Sequence, residues 1–255
     1  MIAECCPSGG SVTCASIDEK WTSHMTAINV IRQSCAVHIL SDGVFCNAEG
    51  IVCELGPNAF ALPHLPAALA VRGPTQFMPF LVHRLGRECQ SFDELLTRVV
   101  PVALEVHISI PMILGYGEVS PNFDLIVVGW STKKNQPESF LVTPQRGVHE
   151  DNYKTWHLVE LPDVLIAPAV DMAQIQFLNW QLPTSAEAFQ PDTDGVKLLE
   201  AQRLSRGRLN VRYPDENIGF TVGGFIQLTS ISPRGVSSSV LHRWPDQAGQ
   251  KIEIG

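Results

Sequence analysis

The sequence predicts an α+β fold in which helices cover the outer faces of two stacked antiparallel sheets. Three observations carry the prediction. The segments run strands, two helices, strands, two helices, strands, the order expected when helices pack outside paired sheets. The opening strands alternate apolar and polar residues, so each can bury one face. The stretch Phe123 to Trp130 is almost continuously apolar, as a central strand covered on both faces would be. No repeat or linker divides the chain, and 255 residues suit one domain of this kind.

Residues 1–24 are rich in Ser, Gly and Cys without periodicity and read as an N-terminal extension ahead of a domain over 25–245. From Thr26 to Gly43 two strands are joined at Ser34-Cys35; Ile28, Val30, Val37 and Ile39 fall at period two. A second hairpin is centred on Glu49-Gly50, which places Cys46 and Cys53 equally far from the turn and predicts a cross-strand pair. Ala59–Leu62 and Ala67–Val71 are short strands ending at Arg72-Gly73-Pro74. Residues 75–88 carry Phe77, Leu81, Val82 and Leu85 at helical spacing. Ser91 and Glu94 form a capping box for the next helix, which Pro101 is expected to bend or end.

After the central strand, a polar turn over 131–138 leads to Ser139–Thr143, and 150–166 supply two more short strands. Asp171–Trp180 and Asp194–Leu204 are helical, with Val196, Leu199 and Leu204 as the expected buried stripe of the second. Gly219–Ile231 and Gly235–Arg243 close the fold as strands, Gly223-Gly224 reading as a strand irregularity. Residues 246–255 form a polar tail.

Composition narrows the function. A net charge of −8 offers no basic surface to a nucleic acid backbone. The most apolar run, Leu62 to Val71, is broken by Pro63 and Pro66 and is too short to span a bilayer. The first residues lack the basic and apolar regions of a secretion signal, so the expectation is a soluble chain, cytoplasmic or part of an assembled particle. All seven cysteines lie in the first 89 residues, without a Cys-x-x-Cys pair or a completing His, so no metal or other cofactor is expected. Two readings of the thiols stand side by side: buried thiols with an exposed Cys-bearing tail, or disulfides involving Cys46, Cys53, Cys5, Cys6 and Cys14, within or between chains. His38 falls on the strand face opposite Val37 and Ile39 and reads as a structural histidine.

The opening hairpin resembles that of proteasome β-type subunits and the bacterial proteasome-like peptidases, within the N-terminal-nucleophile (Ntn) hydrolases. There a Thr opens the first strand, an Asp closes the second, and a Lys follows. Here Asp42 lies 16 residues after Thr26, the family spacing. Val127-Val-Gly-Trp130 followed by a turn and Ser139–Val142 is similar to the family's mid-chain hairpin. The likeness extends over roughly 26–245 and implies a four-layer αββα sandwich. By resemblance, Thr26 is the nucleophile, Asp42 the carboxylate that orients the Lys, and Arg72-Gly73 the neighbourhood of the oxyanion hole.

Two departures change what the resemblance implies. The Lys position, 32 residues after Thr26, holds Asn58, which carries no charge. Met25 precedes Thr26 where self-cleaving precursors of the family have Gly. The resulting expectation is a degenerate, non-enzymatic subunit, with Thr26, Asp42 and Asn58 a vestigial site. It would build a homo-oligomer or join other protein subunits of a larger particle, such as a phage virion or tail, without nucleic acid or membrane. The alternative is a self-compartmentalised threonine peptidase activated by cleavage before Thr26.

Overall fold

The computed structural model describes residues 26–47, 49–73, 75–114, 123–144, 154–208 and 218–254. The predicted extension over 1–24, with Cys5, Cys6 and Cys14, and Met25 lie outside the described residues. The opening hairpin consists of β1 (Ile28–Gln33) and β2 (Ala36–Asp42), paired from Ile28↔Ser41 to Gln33↔Ala36 across a turn at Ser34-Cys35. A small hairpin, β3 (Val44–Cys46) and β4 (Val52–Leu55), follows. Next come β5 (Ala59–Leu62), β6 (Ala67–Arg72), α1 (Met78–Glu88) and α2 (Phe92–Leu114). The chain continues through β7 (Asp124–Ser131), β8 (Gln136–Val142), β9 (Val159–Glu160) and β10 (Val164–Ala167). It ends with α3 (Met172–Phe177), α4 (Asp194–Arg203), β11 (Arg206–Arg208), β12 (Ile218–Phe220), β13 (Phe225–Ser232) and β14 (Gly235–Arg243).

Two five-stranded sheets dominate, ordered β10-β1-β2-β13-β14 and β5-β6-β7-β8-β9, and their pairings are antiparallel. Strand periodicity sorts their side chains into separate clusters. Ile28, Val30, Val37 and Ile39 of the first sheet share one cluster with Ala68, Ala70, Ile126 and Val128 of the second. The alternate residues Leu69, Val71, Leu125 and Val127 pack with Leu81, Leu85, Leu95 and Val99 of α1 and α2. Ala27, Ile31 and Leu40 pack with Ile175, Leu198 and Leu199 of α3 and α4. β2 and β7 are therefore buried along their whole length. Each fully buried aliphatic side chain stabilises the fold by about 1.5–3 kcal/mol.

Several local expectations are corrected. α2 runs through Pro101 to Leu114 rather than ending there. Pro101 is on the exposed side, where water can serve the carbonyl that its missing N–H leaves free, while Leu95, Val99, Val102 and Val106 keep one buried face in phase. At its start Ser91 Oγ accepts from the Glu94 N–H at 3.1 Å, but the Glu94 carboxylate accepts from Gln90 rather than Ser91. The buried side of α4 is Gly195, Leu198, Leu199 and Gln202; Val196 and Leu204 are only half-buried. Gly195 is what allows this, because a Cβ there would come within 2.6 Å of Leu40. β8 starts at Gln136, inside the expected turn, and Gly219–Ile231 is two strands broken at 221–224. Nor is the C-terminal segment a free polar tail: Ile252 is buried against Val44 and Val52, and Ile51 bridges to Lys251.

The hairpin carrying Cys46 and Cys53 forms, but its register shifts between Phe45 and Cys46, so Cys46 faces Val52 instead of Cys53. Both thiols are free, as are Cys35 and Cys89. A bulge of this kind sets two residues against one and breaks the symmetry that the turn implied. No described helix is long and apolar enough to cross a membrane.

Two glycines give opposite predictions. A Cβ on Gly129 of β7 would sit 2.1 Å from the Phe92 ring, so Gly129→Ala should cost about 1–3 kcal/mol in urea unfolding. Gly86, inside α1, has its nearest atoms at 3.5 Å, and Gly86→Ala should stabilise by about 0.5–1 kcal/mol.

Candidate functional site

β1 begins and β2 ends at the same edge of their ladder, because the hairpin pairs Ile28 with Ser41. This puts Asp42 opposite Ala27, the residue after Thr26. The Asp42 Oδ1 accepts from the Ala27 N–H at 3.0 Å, so the carboxylate grips the peptide directly after Thr26. Its Oδ2 accepts from the Gly223 N–H at 3.2 Å, in the segment leading to β13. Asn58, just before β5, donates from Nδ2 to the Asp42 carbonyl at 2.8 Å and to Oδ1 at 3.3 Å. Asp42 and Asn58 are fully buried, and Thr26 is 5% exposed.

The Asp42 carboxyl is thus held by two backbone amides and a neutral side-chain amide. Burial pushes its pKa well above the usual aspartate value; the hydrogen bonds from Gly223, Ala27 and Asn58 pull the other way and only partly offset it. Asn58 can hold the carboxylate in place, but it cannot supply the charge that an ammonium group would. Thr26 as a whole is almost fully withdrawn from solvent.

Arg72 belongs to the facing sheet, and Gly73 follows directly after its strand. Arg72 ends β6 opposite Asp124 of β7, and its Nη1 lies 3.9 Å from the Asp124 carboxylate with both side chains fully buried. Desolvation lowers the Arg72 pKa, and Asp124 offsets only part of the drop. Gly73 has φ +122°, in the left-handed region that favours glycine. The strand end is tied to the Asn58 segment by the Val71 N–H, which donates to the Asn58 carbonyl at 3.2 Å. Asp42, Asn58 and the Thr26–Ala27 peptide are therefore brought into one hydrogen-bonded group, with Arg72 placed through its own strand.

Gly223 is the participant that side-chain reasoning passes over, since it contributes only a backbone N–H. The signal was the Gly223-Gly224 doublet: a Cβ on Gly223 would lie 2.5 Å from Asp246 Oδ2, and Gly224 has φ +73°. The Gly224 N–H donates to that same Asp246 oxygen at 2.7 Å. Arg203 of α4 closes the cluster with a bidentate pair to Asp246, both contacts at 2.8 Å, and stacks over Trp244. Among the described residues no group of three or more His, Cys, Asp or Glu could hold a metal ion.

Two other polar centres lie elsewhere. His38 sits 2.8 Å from Ser230 Oγ through Nδ1 and 3.0 Å from Gln33 Oε1 through Nε2, and burial lowers its pKa. Cys46 borders the Asp42 region, and burial, followed by the charge of Asp42, pushes its thiol up to about 12. No protein-family model and no curated protein sequence matches the chain.

Two measurements check this geometry. Asp42→Ala strands two backbone N–H groups and an amide in a buried site, so unfolding should show a loss of about 3 kcal/mol or more. Iodoacetamide followed by peptide mass mapping should modify the exposed Cys35 and Cys53 while the protonated Cys46 and the buried Cys89 resist.

Proposed function

We propose that this chain is a structural subunit built on a degenerate Ntn-hydrolase fold, working by assembly rather than hydrolysis. The observation that carries the reading is the neutral Asn58 amide on Asp42, at the place where the resemblance expects a lysine ammonium. Near-complete burial of Thr26 supports it as well. The four-layer arrangement belongs to the same proposal. It is supported by α1 and α2 sharing a cluster with one sheet, α3 and α4 with the other, and the inner faces sharing a third.

The assembly half of the reading rests on apolar surface. Phe80 and Ile108 are 46% and 63% exposed beside a groove between α1 and α2, and Phe177 on α3 is 77% exposed. A contiguous apolar surface of sufficient area marks an interaction site, and the groove lined by Phe80 and Ile108 is where this reading places one. A homo-oligomer, or a place among other subunits of a particle such as a virion, fits this surface.

The test pairs activity with mass. The purified full chain should show no turnover of a fluorogenic peptide panel above a Thr26→Ala control, and light scattering should give a mass above that of one 28.0 kDa chain. Turnover that depends on Thr26 would replace this reading with the threonine peptidase, and a strictly monomeric mass would remove the assembly role.

A further inference from the structure

The two large sheets end in four edge strands, β5, β9, β10 and β14. An edge presents a row of backbone N–H and C=O groups ready to pair with another chain, and folded proteins usually blunt it. Three of these edges are blunted by shortness or by flanking prolines. β9 has only two residues. β5 has four and lies between Pro57 and Pro63, and β10 has four and lies between Pro162 and Pro168.

β14 is open. It runs nine residues without a proline and carries no titratable side chain before His242. Its pairing with β13 is regular from Ser232↔Gly235 to Gln227↔Val240, and a bulge at Leu241 ends that stretch. Ser237, Ser238, Ser239 and Val240 are exposed, and no described strand pairs with the far side of β14. Among the described residues of the two large sheets, Val240 is the only large apolar side chain left exposed, at 43%.

The chemistry of this stretch fits a second copy of itself. The chain's net charge of −8 opposes self-contact over most of the surface, but Gly235–Val240 is neutral. Antiparallel pairing about a two-fold axis sets one residue opposite its own copy. With Ser238 on the axis, Ser237 faces Ser239 of the second copy and Val236 faces Val240. Hydroxyl pairs and β-branched pairs are both favourable across strands, and no like charges are opposed. Val236 and Val240 share one face at period two, and Val236 already packs against the cluster between the sheets, so pairing extends that apolar layer. The nearest cations stand outside the seam: Arg234 is in the β13–β14 turn, and Arg243, beyond the bulge, lies over the Phe225 ring at 5.4 Å.

We propose that β14 pairs antiparallel with β14 of a second copy about a two-fold axis at Ser238, joining two five-stranded sheets into one of ten. The inference rests on the assembly reading and gives one of its contacts a geometry.

The experiment is light scattering of the full chain across a dilution series, where a step at twice 28.0 kDa is expected. Ser237→Lys with Ser239→Lys opposes ammonium groups twice across the seam and should weaken the dimer about tenfold. Ser237→Lys with Ser239→Glu sets each ammonium opposite a carboxylate of the other copy and should restore the native association. A native chain that stays monomeric removes both this contact and the assembly reading. A larger mass that the two-lysine variant leaves unchanged overturns the β14 contact alone, as does a Lys–Glu variant that fails to recover. Should a variant misfold, amide exchange of the native chain decides. Exchange over 235–240 should slow as concentration rises, and exchange indifferent to concentration overturns the contact.

Discussion

A carboxylate withdrawn from water must be supplied with donors, and at Asp42 they come from three distant stretches of chain. Ala27 gives its N–H from the entrance to β1, Gly223 from the entrance to β13, and Asn58 its amide from the entrance to β5. Each donor is useful only if its segment is in place, so one side chain makes three junctions interdependent. Two belong to the first sheet and the third belongs to the second. The polar centre thus sets how the sheets sit at this end, while the apolar contacts between their inner faces supply most of the stabilisation.

A second polar tie joins the first sheet to α4. Asn29 of β1 and Gln202 of α4 exchange reciprocal amide hydrogen bonds, both 2.9 Å, in a fully buried setting. Gln202 also donates to the Pro168 carbonyl, and the Ala167 N–H donates to Asn29 Oδ1. Apolar packing alone would let α4 slide on its sheet, since one aliphatic contact is much like the next. The amide pair is directional and fixes one register. Arg203, the next residue, holds Asp246 and the Glu253 carbonyl, so the same helix pins the C-terminal segment.

The parts of this architecture that could be read from the sequence are those written in side-chain periodicity. Ile28, Val30, Val37 and Ile39 announce their shared face, and the apolar run of β7 announces burial on both sides. The adjacency of Asp42 and Asn58 was expected only through the resemblance, whose family spacing the two positions match. What escaped was written in backbone atoms or in packing. Gly223 acts through an N–H that no residue type advertises. Pro101 breaks a hydrogen bond on the wet side of α2, where the loss is small, so local propensity yielded to the buried face. The bulge at Cys46 turns on a single extra residue, and the seat of α4 depends on a missing Cβ at Gly195 that only the facing Leu40 reveals.

The missing side chain at Gly129 has a mechanical consequence. With the Phe92 ring pressed into the space a Cβ would occupy, the first turn of α2 is keyed into the middle of the second sheet, and Asp93 adds hydrogen bonds to Ser131 and Thr132 at the end of the same strand. Such a joint resists shear far better than a smooth seam between helix and strand. A load applied to the outer surface of α2 would pass into β7 and its neighbours as a rigid displacement instead of dissipating as slippage. In a chain that carries force between neighbours, this helix would be the handle and the sheet the frame.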